Sequence, residues 1–251
     1  MLRPEIECGY SHASAFDATL RNNLKAVADS VADAVEKLFG SSPPPAGQRR
    51  IWCFYEADTV PMLVIHPTEY PIRLSVLGRD YSKFAYQLSH ELAHIMLDPR
   101  QDNWILEGLA VAVSLQTLED LAESWQINPP YPHWASYAPN FATYRAKTIT
   151  TNTAALEPNA TNALKAGDWT AITDFLKGKR AFLDANPCDR PMNTLCAVRL
   201  MAEPMSWPTL VGLAAQTTPP PIAPAHFNAN IPLDVAKLSP SVMEMLQRIG
   251  L

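Results

Sequence analysis

Five consecutive residues, His90-Glu91-Leu92-Ala93-His94, set two imidazoles four positions apart with a carboxylate directly after the first. On a helix, positions i and i+4 share a face, so both rings point at one spot. Ring nitrogens on successive turns can each reach a divalent cation at about 2.0–2.1 Å, the distance typical of zinc. Glu91, leaning to the side of that spot, can take a proton from a metal-bound water without occupying a coordination position. Leu92 and Ala93 are apolar, and Glu91 carries the only carboxylate between Gln87 and Ile95, as a helix buried beside a cation requires. A catalytic zinc has three protein ligands and an open fourth position. The candidate third ligand is Glu107, in Trp104-Ile105-Leu106-Glu107-Gly108-Leu109-Ala110. Pro99 bars continuation of the first helix, so the chain can reverse and lay a second helix against it with Glu107 in the first turn. Gly108 and Ala110 are small enough to let helices approach closely near the metal. Two plainer readings compete: histidines four apart by chance on a buried helix, and an acid that stabilises a helix N-terminus through the dipole. An apolar helix followed by Glu-Gly-Leu-Ala favours the metal over both.

The elements that must position these groups can be read from periodicity. Residues 12–39 carry Phe16, Leu20, Leu24, Val27, Val31, Val35 and Leu38 at helical spacing, ended by Gly40 and Ser41-Ser42-Pro43-Pro44-Pro45. Residues 51–55, 62–66 and 72–77 have strand character, punctuated by Pro61, Pro67 and Pro71. Short connections predict an antiparallel sheet. Phe84, Leu88, Leu92 and Ile95 form the apolar stripe of the histidine helix. The next helix is expected to start near Trp104, capped by Asp102 or Asn103, and to run to about Trp125. Residues 126–146, rich in proline and aromatics, read as a structured loop, with Trp125, Tyr131, Trp134, Tyr137, Phe141 and Tyr144 either packing under it or walling a cleft. Further helices are expected at about 169–185, 191–203, 207–216 and 239–250, interrupted by prolines at 219–224. A helix, a small sheet and a mostly helical remainder make the class α+β. The natural division is 1–125, holding the candidate ligands, and 126–251, completing a cleft, unless the chain is one domain.

A net charge of −5 over 251 residues, with no Lys/Arg run, argues against nucleic acid or an anionic membrane as the main partner. No apolar run reaches the length of a membrane span. Acids at Glu5 and Glu7 stand where a signal peptide would be apolar, so the expected location is cytoplasmic. Cys8, Cys53, Cys188 and Cys196 lack Cys-x-x-Cys spacing, which removes a finger-like zinc site but leaves both free thiols and disulfides open. Oligomeric state is not legible. His12, His66 and His226 read as surface or loop residues, and Asp98 or Asp102 could stand beside the metal but more naturally belong to a solvated loop.

His-Glu-Leu-Ala-His followed by Trp-Ile-Leu-Glu-Gly-Leu-Ala resembles the gluzincin metallopeptidases, in particular short members related to the catalytic domain of the aminopeptidase N family. The resemblance covers roughly residues 81–115. It implies a zincin-like fold and one Zn2+ per chain held by His90, His94 and Glu107. It also implies Glu91 as general base, and a peptide or protein as substrate. The family also steadies the oxyanion with a tyrosine placed after the third ligand; Tyr137, in Tyr137-Ala138-Pro139-Asn140-Phe141, is the first candidate, with Tyr144, Tyr131 and His133 as alternatives. Only twelve residues separate His94 from Glu107, and the Gly-x-Met-Glu-Asn element that holds a substrate amino terminus is absent. The expected function is a zinc metallopeptidase, with nothing in the sequence to support aminopeptidase activity. The alternative is a binding or scaffold protein that keeps the metal site and has lost turnover.

Overall fold

A computed structural model of the chain describes residues 2–6, 18–40, 49–57, 59–64, 66, 68–76, 78–97, 99, 103–213 and 235–251. Phe16, His12, His226, Cys8, Asp98, Asp102, Leu77 and the prolines at 219–224 lie outside these residues. The first long element, α1 (Ala18–Phe39), buries Leu24, Val27, Val31 and Val35 along one face, as their spacing predicts. It stops at Gly40, whose φ of +65° is a left-handed conformation that residues with a Cβ adopt reluctantly.

Four short strands follow the sequence β1 (Glu5–Ile6), β2 (Arg50–Tyr55), β3 (Met62–Leu63) and β4 (Glu69–Leu74), in the spatial order β1-β2-β4-β3. The sheet is mixed and mainly parallel, which corrects the antiparallel expectation: β1 pairs with β2 and β2 with β4 in parallel, and only β3 runs antiparallel to β4. The reason is the path of the chain. The β1–β2 connection contains α1, long enough for a parallel crossover. After β2 the chain first lays β3 at the outer edge and then returns as β4 into the gap between. Pro71 is inside β4 and is not a boundary. Its carbonyl accepts from the Val64 N–H at 2.8 Å. Its missing N–H therefore faces β3, where that edge strand ends, and not β2. Ile6, Ile51, Cys53, Leu63, Ile72 and Leu74 form the buried face of the sheet.

On that face packs α2 (Tyr81–Leu97), started by Asp80, whose carboxylate accepts from the Lys83 N–H at 3.1 Å. Phe84, Leu88, Leu92 and Ile95 are fully buried. Gln87 fastens the helix to the end of β4, accepting from the Ser75 N–H at 3.0 Å and donating to Ser75 Oγ at 2.8 Å. The central helix, α3 (Trp104–Ile127), is buried nearly all round, packed by α1, α2 and two later helices, α4 (Ala138–Thr153) and α8 (Arg190–Met201). Asn103 is its N-cap, accepting from the Ile105 and Leu106 N–H groups at 3.0 and 3.1 Å.

The stretch read as a loop is instead a turn of 3-10 helix (Pro132–Tyr137) leading into α4 (Ala138–Thr153). Pro139 falls in the first turn, where its missing N–H has no partner to lose. The remainder is α5 (Pro158–Ala166), α6 (Trp169–Gly178), α7 (Arg180–Ala185), α8 (Arg190–Met201), a 3-10 turn at Trp207–Leu210 and α9 (Pro240–Gln247). The single helix expected over 169–185 is thus two, broken at Lys179, and α5 was not expected. Gly108 does allow a close approach, but of α8: a Cβ there would lie 3.1 Å from the Cys196 Cβ. No helix among the described residues is long and apolar enough to cross a membrane.

Candidate metal centre

Helix α2 presents His90 and His94 on successive turns, and the antiparallel return of the chain through Asn103 brings Glu107 up to them. The two Nε2 atoms are 3.3 Å apart. Glu107 Oε2 is 3.3 Å from His90 Nε2, and Oε1 is 3.2 Å from His94 Nε2. The two Glu107 contacts run to different oxygens, so each carboxylate oxygen faces one imidazole; neighbouring ligands of a tetrahedral ion bound at about 2.0–2.1 Å are separated by a similar distance, about 3.3–3.4 Å. Three lone-pair donors at such spacing fit a divalent cation. Among the described residues, this is the one group of three or more His, Cys, Asp or Glu side chains that could hold a metal. Their side chains are 18%, 12% and 15% exposed, so the group lies recessed yet open to solvent.

Glu91 does not join the cluster. It is 4% exposed, and its Oε2 accepts from the Leu63 N–H at 2.7 Å. That bond ties the carboxylate to the edge strand β3. Burial raises its proton affinity above that of an ordinary carboxylate, helped by the charge of Glu107 and opposed by His90, His94 and the Leu63 bond. Glu107 goes the other way. Burial pushes its carboxyl up, but hydrogen bonds and charge from both histidines outweigh that and hold it well below the ordinary range. The two carboxylates are separated in affinity, as a proton-shuttling group and an ionised ligand need to be.

Tyr137 is elsewhere. Its hydroxyl accepts from the Ser82 N–H at 3.1 Å and lies 3.2 Å from Ser82 Oγ. Ser82 is two helical turns before His90, about 12 Å along the axis. Tyr137 belongs to a packing layer with Tyr81, Trp125, Trp134 and Phe141 that secures the start of α2. Tyr131 and His133 stack on each other at that layer's outer rim. Tyr144 differs: its ring is 6.0 Å from that of Tyr86, one turn before His90 on α2. Burial holds the Tyr86 phenol protonated, with the charges of Tyr144 and Glu107 acting the same way and Arg190 against. Tyr86 is four residues before His90 and so shares its helix face, a spacing legible in the sequence. Cys53 and Cys196 are buried free thiols, and Cys188 is exposed.

Compared with protein-family models, with curated proteins and with solved structures, the chain matches none.

Proposed function

We propose that this chain is a zinc-dependent peptide hydrolase of gluzincin type, with a zincin-like arrangement of sheet and paired helices. The observation that carries the reading is the convergence of His90, His94 and Glu107, whose ligand atoms all lie within 4.8 Å of one another, with a separately held, buried carboxylate, Glu91, on the same helix as the histidines. Zinc, when bound, supplies a Lewis acid that polarises a substrate carbonyl and acidifies water. Glu91 takes the proton from the attacking water and delivers it to the leaving amine nitrogen, a task suited to a carboxyl whose proton affinity burial has raised. Glu107 stays ionised.

The peptide as substrate is supported by the edge of the sheet. In β3 the Val64 N–H is used by β4, and the Leu63 N–H points the opposite way, to Glu91. The unpaired side of β3 therefore borders the carboxylate, and an extended chain laid along it brings its backbone to the triad. Val60, Met62 and Val64, at alternate positions, are exposed apolar side chains flanking that edge. The test is a peptide library offered to the full chain with stoichiometric zinc. Cleavage that stops with chelator and returns with zinc is expected. Tight zinc with no cleavage of any member contradicts the enzyme and leaves a metal-stabilised binding protein.

Because Tyr137 is remote, Tyr137→Phe is expected to leave the cleavage rate unchanged and to cost about 1 kcal/mol of stability, the worth of its hydrogen bonds to Ser82. A 10²–10³-fold rate loss, as for an oxyanion donor, would show that it reaches the reacting carbonyl.

A further inference from the structure

Strand β3 is an edge of the sheet, and its backbone groups are divided between two sides. Met62 pairs with Arg73, and the Val64 N–H donates to the Pro71 carbonyl at 2.8 Å, so both residues turn their backbone groups to β4. Leu63, between them, turns its N–H and its carbonyl the other way. The N–H is held by Glu91 at 2.7 Å. The carbonyl has no partner among the described residues. Pro61, two residues earlier, has no N–H to offer. The open side of this strand therefore presents an acceptor and no free donor, and a strand docking there must donate.

Side chains alternate with the same period. Leu63 belongs to the buried face, so Met62 and Val64 project from the other one, where they are 46% and 36% exposed. Val64 continues a cross-strand row through Pro71 to Trp52, and Met62 a row through Arg73 to Phe54. The Trp52 and Phe54 rings lie 5.3 Å apart. Arg73 carries the only charge in the two rows, and it is committed: its guanidinium donates to the Val60 carbonyl at 3.2 Å and pairs with Glu56 at 3.1 Å. Neither row calls for an ionised partner.

An antiparallel strand laid on this edge has a definite register. The residue opposite Leu63 donates its N–H to the Leu63 carbonyl, and its own carbonyl points to the Leu63 N–H, where Glu91 is held. The residue before it stands opposite Val64 and the residue after it opposite Met62. Both project on the outer face, where an apolar side chain extends an apolar row.

Resting on the hydrolase reading, we infer that Val64 and Met62 select apolar side chains on either side of the residue anchored by Leu63. Val64 meets the residue before it. Met62 meets the residue after it, across the bond that is cut. Both are positioning residues and move no proton.

The test measures binding and cleavage separately. Zinc-loaded full-length Glu91→Gln protein is titrated with dansyl-Ser-Gly-Val-Ala-Leu-Gly-Ser-amide, with the same peptide carrying Gln in place of Val and Leu, and with the parent N-methylated at Ala. Binding of the parent about 3- to 30-fold tighter than the Gln peptide is expected, one apolar cross-strand pair at each of two positions. N-methylation removes the N–H offered to Leu63 and is expected to weaken binding about 3- to 10-fold. Adding Met62→Gln and Val64→Gln together is expected to bring the parent-to-Gln ratio to about one. The melting temperature is expected to hold, since both side chains are exposed. Ile127→Gln, at an apolar residue 88% exposed at the far end of α3 from Glu107, is expected to leave the ratio as it is. Equal binding of the parent and the Gln peptide overturns the inference. So does a preference that survives the two substitutions, N-methylation without effect, or no binding of any peptide. Wild-type protein with zinc is expected to cut the parent between Ala and Leu, and a cut elsewhere overturns the register. Failure of the hydrolase reading shows separately, as a parent peptide that binds with the expected preference and stays intact.

Discussion

Glu91→Gln is expected to slow peptide hydrolysis by about 10²–10⁴-fold, the usual contribution of a positioned general base, while leaving zinc binding and the fold intact. The substitution is clean for a structural reason. The Glu91 oxygen that accepts the Leu63 N–H at 2.7 Å has a counterpart in the glutamine carbonyl, so the tie between α2 and β3 is kept. Burial penalises the charged carboxylate at this position, and a neutral amide removes that penalty, so the melting temperature is expected to hold or rise. The pH dependence has a definite sign. The base must be ionised, so the wild-type rate falls as pH drops through the Glu91 pKa, which burial places above that of an ordinary carboxylate. Rates across pH for both proteins check this. Wild-type cleavage by Glu91→Gln would remove Glu91 from the mechanism.

Stripping zinc is expected to lower stability by about 4 kcal/mol relative to protein at a free zinc concentration near 1,000 times the dissociation constant. For a chain of 251 residues that corresponds to roughly 8–16 °C in melting temperature. The effect arises because His90, His94 and Glu107 converge only in the folded chain, so the metal binds the native state alone. Glu107→Ala removes one corner of the ligand face, and its melting temperature is expected to respond little to zinc or chelator. Thermal melts of both proteins, with metal and with chelator, give the comparison. A wild-type melt indifferent to chelator contradicts a metal that helps hold the fold.

The parts of this fold that could be read from the chain are those set by local spacing. The apolar stripe of α2, the burial of α1 and the start of α3 at Asn103-Trp104 all follow from period and capping chemistry, and with them the meeting of positions 90, 94 and 107. Strand direction could not be read, because it depends on which strand occupies the gap between β2 and β3, and β3 is two residues long. Helix α4 was hidden by its own composition. Thr148, Ile149, Thr150, Thr151 and Thr153 are β-branched, and Pro139 and the aromatics suggest a loop. Packing decides otherwise. Ala138 and Phe141 are fully buried, and the Arg145 guanidinium donates to the Leu115 carbonyl at 3.1 Å. Tyr137 is marked by only a short sequence echo, whereas its location is set by the turn that aims it at Ser82.

Anomalous X-ray scattering on both sides of the zinc absorption edge, from crystals of the full chain grown with zinc, locates the metal directly. A site of three ligands predicts one strong peak at about 2.0–2.2 Å from His90 Nε2, His94 Nε2 and a Glu107 carboxylate oxygen, with Glu91 not bound to it. A Glu107 side chain turned away from the two imidazoles, or zinc found only at other positions on the protein, would contradict it.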